Sequence, residues 1–148
     1  MPLRRFLLVL LFFGLAVTGA DLMLLEHYED RWQLLPLGLI AAGLVAGGAH
    51  AFGRGAGSLK VLRLLMVFYL FAGLIGLGLH YRGSRAFQVE VNPGLEGLEL
   101  FWRAVRAKAP PALAPSAMIH LGLLGLAYSF RHPVLSGSPD DTEQRSTI

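Results

Sequence analysis

The stretch Leu25-Glu26-His27-Tyr28-Glu29-Asp30-Arg31-Trp32-Gln33 decides how the chain is read. It is a polar knot in which six of nine side chains can carry or share a proton. On either side of it lies an apolar run long enough to span a bilayer. A short charged interruption between two such runs is the pattern of two transmembrane helices and the loop that joins them.

Composition supports lipid as the solvent. The 148 residues are 54% hydrophobic and only 16% charged, where soluble chains carry about a quarter charged residues. The mean hydropathy is +0.54, and the apolar residues are gathered into blocks. These residues have room for about four spanning helices and little else, so any chemistry has to sit within the helices or their loops. The net charge of +3 rests on thirteen Lys and Arg that flank apolar segments. That placement fits anchoring at lipid head groups and argues against a nucleic-acid partner. With no cysteine in the sequence, disulfides, Fe–S clusters, thiolate zinc sites and c-type haem attachment are excluded.

Working outward from the knot, the first span covers about 6–25. It follows Arg4 and Arg5 and contains one charge, Asp21. A cleaved signal peptide is the rival, with Thr18-Gly19-Ala20 imitating a cleavage site. Apolar sequence resumes at Leu22-Met23-Leu24-Leu25 and completes a membrane length, which favours retention. The second span, 34–52, has Pro36 in its first turn and ends at Gly53-Arg54-Gly55-Ala56-Gly57-Ser58. The third, 60–81, ends at His80-Tyr81-Arg82, and the fourth covers 112–130 behind Pro110, Pro111 and Pro115. In the one long connection, Leu95, Leu98, Phe101 or Trp102 and Val105 recur at helical spacing opposite Glu96, Glu99, Arg103 and Arg106. This predicts an amphipathic helix over 95–108, lying in the head-group plane or capping the end of the bundle. The small, acidic stretch 133–148 reads as a disordered tail.

The expected fold is therefore all-α: an integral membrane four-helix bundle over 1–132 with a short amphipathic helix in the third loop. Basic residues near short loops place both termini in the cytoplasm of a bacterial-type inner membrane. Raw Lys and Arg counts are balanced, so this weighting rests on Arg4 and Arg5 and the short second loop. With four spans the 26–33 and 83–112 loops share a side, whichever way the chain is inserted.

Small residues should mediate packing, since apolar side chains gain little by exchanging lipid for one another. The stripes offered are Gly14, Thr18 and Asp21; Gly38, Ala42 and Ala46, or Gly43 and Gly47; Ala72, Gly76 and His80; and Ser116, His120 and Ala127. Asp21, His80 and His120 fall in the leaflet bordering the first loop, beneath Glu26, His27, Glu29 and Asp30. His50 and His132 read as interfacial, and Lys60 and Arg63 as snorkelling.

Five residues, Asp21, Glu26, His27, His80 and His120, are the candidate ligands of a divalent metal, because imidazole and carboxylate suit Zn, Fe or Mn. Two of the histidines could instead hold a b-type haem. A proton relay lacks polar groups in the other leaflet. Ser116 and His120 at i, i+4 resemble a nucleophile and base, but Ser116 after Pro115 is better placed as a cap. No motif assigns a reaction. Weighing favours a structural hydrogen-bond network at the helix ends and a non-enzymatic accessory, assembly or oligomeric membrane subunit. Its partners would be the bilayer and a second copy or a larger membrane complex. The alternative is a His/carboxylate metal or b-haem protein.

Overall fold

The computed structural model describes residues 2–108 and 114–135, and over these it is all-helical. Five helices follow one another: α1 (Pro2–Leu24), α2 (Arg31–Gly53), α3 (Ala56–Val91), α4 (Gly97–Val105) and α5 (Ser116–Ser129). A 3₁₀ turn, Pro133–Leu135, comes last. Three of them, Leu3–Leu24, Arg31–Gly53 and Ala56–Val91, are long and apolar enough to cross a membrane.

The boundaries follow from local chemistry. The Gln33 side-chain carbonyl accepts from the backbone N–H of Glu29 at 2.9 Å and of Asp30 at 3.2 Å. This cap lets α2 begin at Arg31, three residues before the expected start, so Pro36 lies in the second turn. Arg54 takes a left-handed conformation, φ 48°, and its N–H bonds the carbonyl of His50 at 2.8 Å. The Gly53–Ser58 turn expected from sequence therefore shrinks to Arg54 and Gly55, and Ala56 to Ser58 already belong to α3.

Helix α3 does not stop at Tyr81. It continues through Arg82 to Val91, 36 residues in all, or about 54 Å at 1.5 Å per residue. The charges after His80 mark the edge of the apolar segment, not the end of the helix. Termination waits for Asn92-Pro93, where the residue before proline leaves helical space. Helix α4 covers nine residues of the expected 95–108 and packs on α3 through Leu100 and Ala104.

The fourth apolar helix differs most from expectation. Residues 112 and 113 lie outside the described residues, and α5 runs only from Ser116 to Ser129, about 21 Å. Pro115, φ −65°, stands at its N-cap, and Phe130 turns to extended backbone. The stretch 133–148 was expected to be disordered from its beginning. Yet Pro133–Leu135 forms the 3₁₀ turn, and Val134 and Leu135 pack against the core. Residues 136–148 lie outside the described residues.

Helix α1 touches α2 and α5, and α3 touches α2, α5 and α4. The core lies inside that ring: Leu11 and Leu15 of α1, Ile40 of α2, Leu59, Leu62, Met66 and Tyr69 of α3, and Met118, Leu121 and Tyr128 of α5. The outer surface carries Phe6, Phe13, Val45, Leu64, Phe68, Phe71 and Ile75, all exposed. A continuous apolar exterior of this kind suits hydrocarbon and not water.

Close approach uses small residues, though not all the stripes expected. A Cβ on Gly73 would sit 2.5 Å from Ile119, one on Gly122 would sit 2.8 Å from the Met66 carbonyl, and one on Gly125 would overlap the Met66 side chain. These glycines set the α3–α5 distance. On α2 the buried face is Ile40, Gly43, Gly47 and His50, while Gly38 and Ala42 face outward. Gly43 leaves room for the Tyr69 hydroxyl, which donates to the Leu39 carbonyl at 2.7 Å.

Candidate functional site

The densest polar cluster among the described residues lies at the end of the molecule opposite the 26–33 loop. Four helix termini meet there: the start of α1, the end of α2, the start of α3 and the end of α5. His50, in the last turn of α2, is 2% exposed. Its place follows from the 3, 4, 3 spacing of Ile40, Gly43, Gly47 and His50, which puts the imidazole on the packed face. Its Nε2 lies 2.8 Å from the Tyr128 hydroxyl and its Nδ1 lies 3.1 Å from Ser58 Oγ.

Proton directions can be assigned from the far end of this chain. Ser58 donates its single hydroxyl proton to the Gly55 carbonyl at 2.9 Å. Its oxygen is then an acceptor, so His50 Nδ1 carries the proton. A neutral His50 offers Nε2 as acceptor, and Tyr128 O–H donates to it. The chain thus runs Tyr128 to His50 to Ser58 to Gly55 and stops at backbone, linking α5, α2 and α3.

Arg4 ties in the remaining helix. Its Nη1 donates to the carbonyls of Tyr128 and Phe130, both at 3.2 Å, and its Nη2 donates to that of Arg131 at 2.7 Å. The Tyr128 carbonyl is one that a helix C-terminus leaves without a backbone partner, the other two belong to the chain just leaving α5, and the cation also complements the negative end of the helix dipole. Arg131 is left-handed, φ 45°, which turns the chain back over the cluster. His132 then packs edge-on to His50 and at a tilt to Tyr128, with ring centroids 5.6 and 5.4 Å away. Its Nδ1 accepts from the Val134 N–H at 3.3 Å. Burial, then the Arg4 guanidinium and His50, lower the His132 pKa.

The loop end is sparser. His27 and His80 face each other with ring centroids 6.4 Å apart. Burial foremost, and then His80, lower the His27 pKa. The other three candidate ligands do not join them. Asp21 and Glu26 are exposed, and Glu26 has φ 53°, which swings the chain outward after α1. His120 is exposed too, and its Nδ1 donates to the Ser116 carbonyl at 2.8 Å. The packed face of α5 is instead Met118, Leu121, Gly122, Gly125, Tyr128 and Ser129, so the expected Ser116, His120, Ala127 stripe points the wrong way. Among the described residues, no group of three or more His, Asp or Glu could hold a metal ion. The five-residue ligand set is therefore not assembled.

The sequence alone does not mark Arg4, Ser58 and Tyr128 as site residues, and it reads His50 and His132 only as interfacial. The available signal was the register of His50 with Gly43 and Gly47, a polar residue on a face of small ones. Comparisons with protein families, with curated proteins and with solved structures found no match, so geometry alone carries the functional reading.

Proposed function

We propose that the chain is a non-enzymatic subunit of a bacterial-type inner membrane, a four-helix bundle with both termini cytoplasmic that associates with a second copy or a larger membrane complex. The observation that carries this reading is how the polar side chains where the four helix termini meet are used. Both nitrogens of His50 are spent on Tyr128 and Ser58, and Arg4 is spent on the carbonyls that end α5. These groups hold helices together.

Association is supported by the outer face of α2, where Gly38, Ala42, Val45 and Ala49 recur at 4, 3, 4 spacing and are exposed. A Cβ on Gly38 would meet nothing within 4 Å. Small residues at such spacing allow a second helix to approach closely. The chain lacks cysteine, so Ala42→Cys in the reconstituted full-length protein reports directly. The expected result is a disulfide-linked dimer for Ala42→Cys and none for the lipid-facing control Ile75→Cys. Equal cross-linking of both, or a monomer by mass in detergent and in nanodiscs, overturns the association.

A second reading is favoured by the His27–His80 pair: a transition-metal or b-haem site at the loop end, His27 being held in its neutral, ligand-competent form. Purified protein with stoichiometric zinc, iron or a Soret band, lost on His80→Ala, would select it. Colourless protein whose metal content does not respond to that substitution rejects it.

A further inference from the structure

The unclaimed feature is a groove of about 590 Å³ on α4, bordered by Gln88 of α3 and by Glu99, Trp102, Arg103, Arg106 and Lys108. Its charges are unevenly disposed. Arg103 is paired to Glu99 at 3.0 Å, which leaves Arg106 and Lys108 as a surplus of two positive charges. Arg106 stands over the Trp102 ring, 5.3 Å from its centroid. The ring thereby holds the guanidinium beside the groove.

The neighbourhood is apolar where water would predict otherwise. Leu98 is 71% exposed, and Phe101 and Trp102 are also exposed, although Leu100 and Ala104 already serve to pack α4 on α3. Helix α4 thus has two apolar sides, and among the described residues only one is covered. The level of this surface is set by Phe101, whose ring lies 5.8 Å from Tyr81. Tyr81 follows His80, which faces His27 of the first loop, and Trp32 is exposed at that same end. The surface therefore lies where the apolar segments end, at the depth of an aromatic belt.

We infer that the α4 groove binds the headgroup of an anionic phospholipid of the surrounding bilayer. Arg106, Lys108 and the Gln88 amide meet the phosphate, whose charge no choline cation offsets, and Leu98, Phe101 and Trp102 enter the glycerol and upper acyl region. A free anion in water would use the cations and leave the exposed apolar rim unexplained. A bilayer lipid uses both. The inference rests on the chain being a membrane protein, but not on its association through α2.

The test is lipid selectivity of the full-length protein in vesicles, read by electron paramagnetic resonance of spin-labelled phosphatidylglycerol against spin-labelled phosphatidylcholine. The motionally restricted fraction should favour phosphatidylglycerol by about fivefold or more, since one basic side chain near a surface contributes about that factor. It should fall when salt is raised and approach unity in Arg106→Gln/Lys108→Gln. Should that double variant not fold, Lys108→Gln alone, at an exposed position, must still lower the ratio. No selectivity in the unmodified protein overturns the proposal. So does selectivity that survives the substitutions, which would place the headgroup elsewhere. Loss of selectivity on adding inorganic phosphate, but not chloride of equal ionic strength, would make this a free-phosphate site and equally overturn it.

Discussion

At the scale of single residues, His50 carries the most information. It is buried, neutral by hydrogen-bond logic, and bonded on both ring nitrogens. Removing one partner of a buried bond leaves the other unsatisfied, which costs about 1–3 kcal/mol. His50→Ala should destabilise the protein by about that amount, and Tyr128→Phe by less, because it deletes the donor without opening a large cavity. A double-mutant cycle on thermal or denaturant unfolding should give a coupling of about 0.6 kcal/mol, the average for polar contacts between membrane helices, and no more than about 1.7 kcal/mol. Additive effects would mean the contact contributes nothing. His27 and His132 make a separate, pH-dependent contribution. Both have folded-state pKa values below the ordinary 6.5, so the unfolded chain binds protons more readily and stability rises with pH. That contribution is full above about pH 6.5 and is lost as pH falls through the lowered values. The melting temperature should therefore drop between neutral and mildly acidic pH, and His27→Gln/His132→Gln should flatten the drop.

At the scale of elements, the apolar runs of α1, α2 and α3 were legible because hydropathy over about twenty residues is a one-dimensional property that lipid imposes directly. Rotation about each helix axis was not. Asp21 and His120 lie on exposed faces, and His50 lies on the packed face of α2, which an interfacial position by itself does not specify. The ends of α3 and α5 were set by Asn92-Pro93 and Pro115, backbone signals that the fading of hydrophobicity obscures. In both partners of the closest contact, glycine marks the interface: Gly73 on α3, Gly122 and Gly125 on α5. Without a hydrophobic drive between helices in lipid, that contact depends on close approach. Gly125→Leu should push α5 off Met66 and lower the melting temperature more than Gly48→Leu, since a Cβ on Gly48 meets nothing within 4 Å. Equal losses would show that the α3–α5 distance is not what the glycines set.

At the scale of the whole molecule, the length of α3 decides how the chain sits. About 54 Å of continuous helix cannot fit within a hydrocarbon layer of about 30 Å, and the surplus has to emerge at one end. Ala56 follows Gly53 by a two-residue turn, so the start of α3 is level with the end of α2. The surplus then falls at Arg82–Val91, beyond the His27–His80 contact that fixes the level of the first loop. Single cysteines in this cysteine-free chain can read that arrangement in sealed vesicles of one orientation. Glu29→Cys and Glu90→Cys, both at exposed positions, should react with a membrane-impermeant maleimide from the same side. Gly57→Cys, in open space at the start of α3, should react only from the other, which in the proposed topology is the cytoplasm. Protection of Glu90→Cys would mean the end of α3 is covered by something other than solvent. Simultaneous reaction of all three in intact vesicles would mean that the chain does not cross the bilayer, and the exposed phenylalanines and leucines of its outer surface would then need a protein partner to cover them.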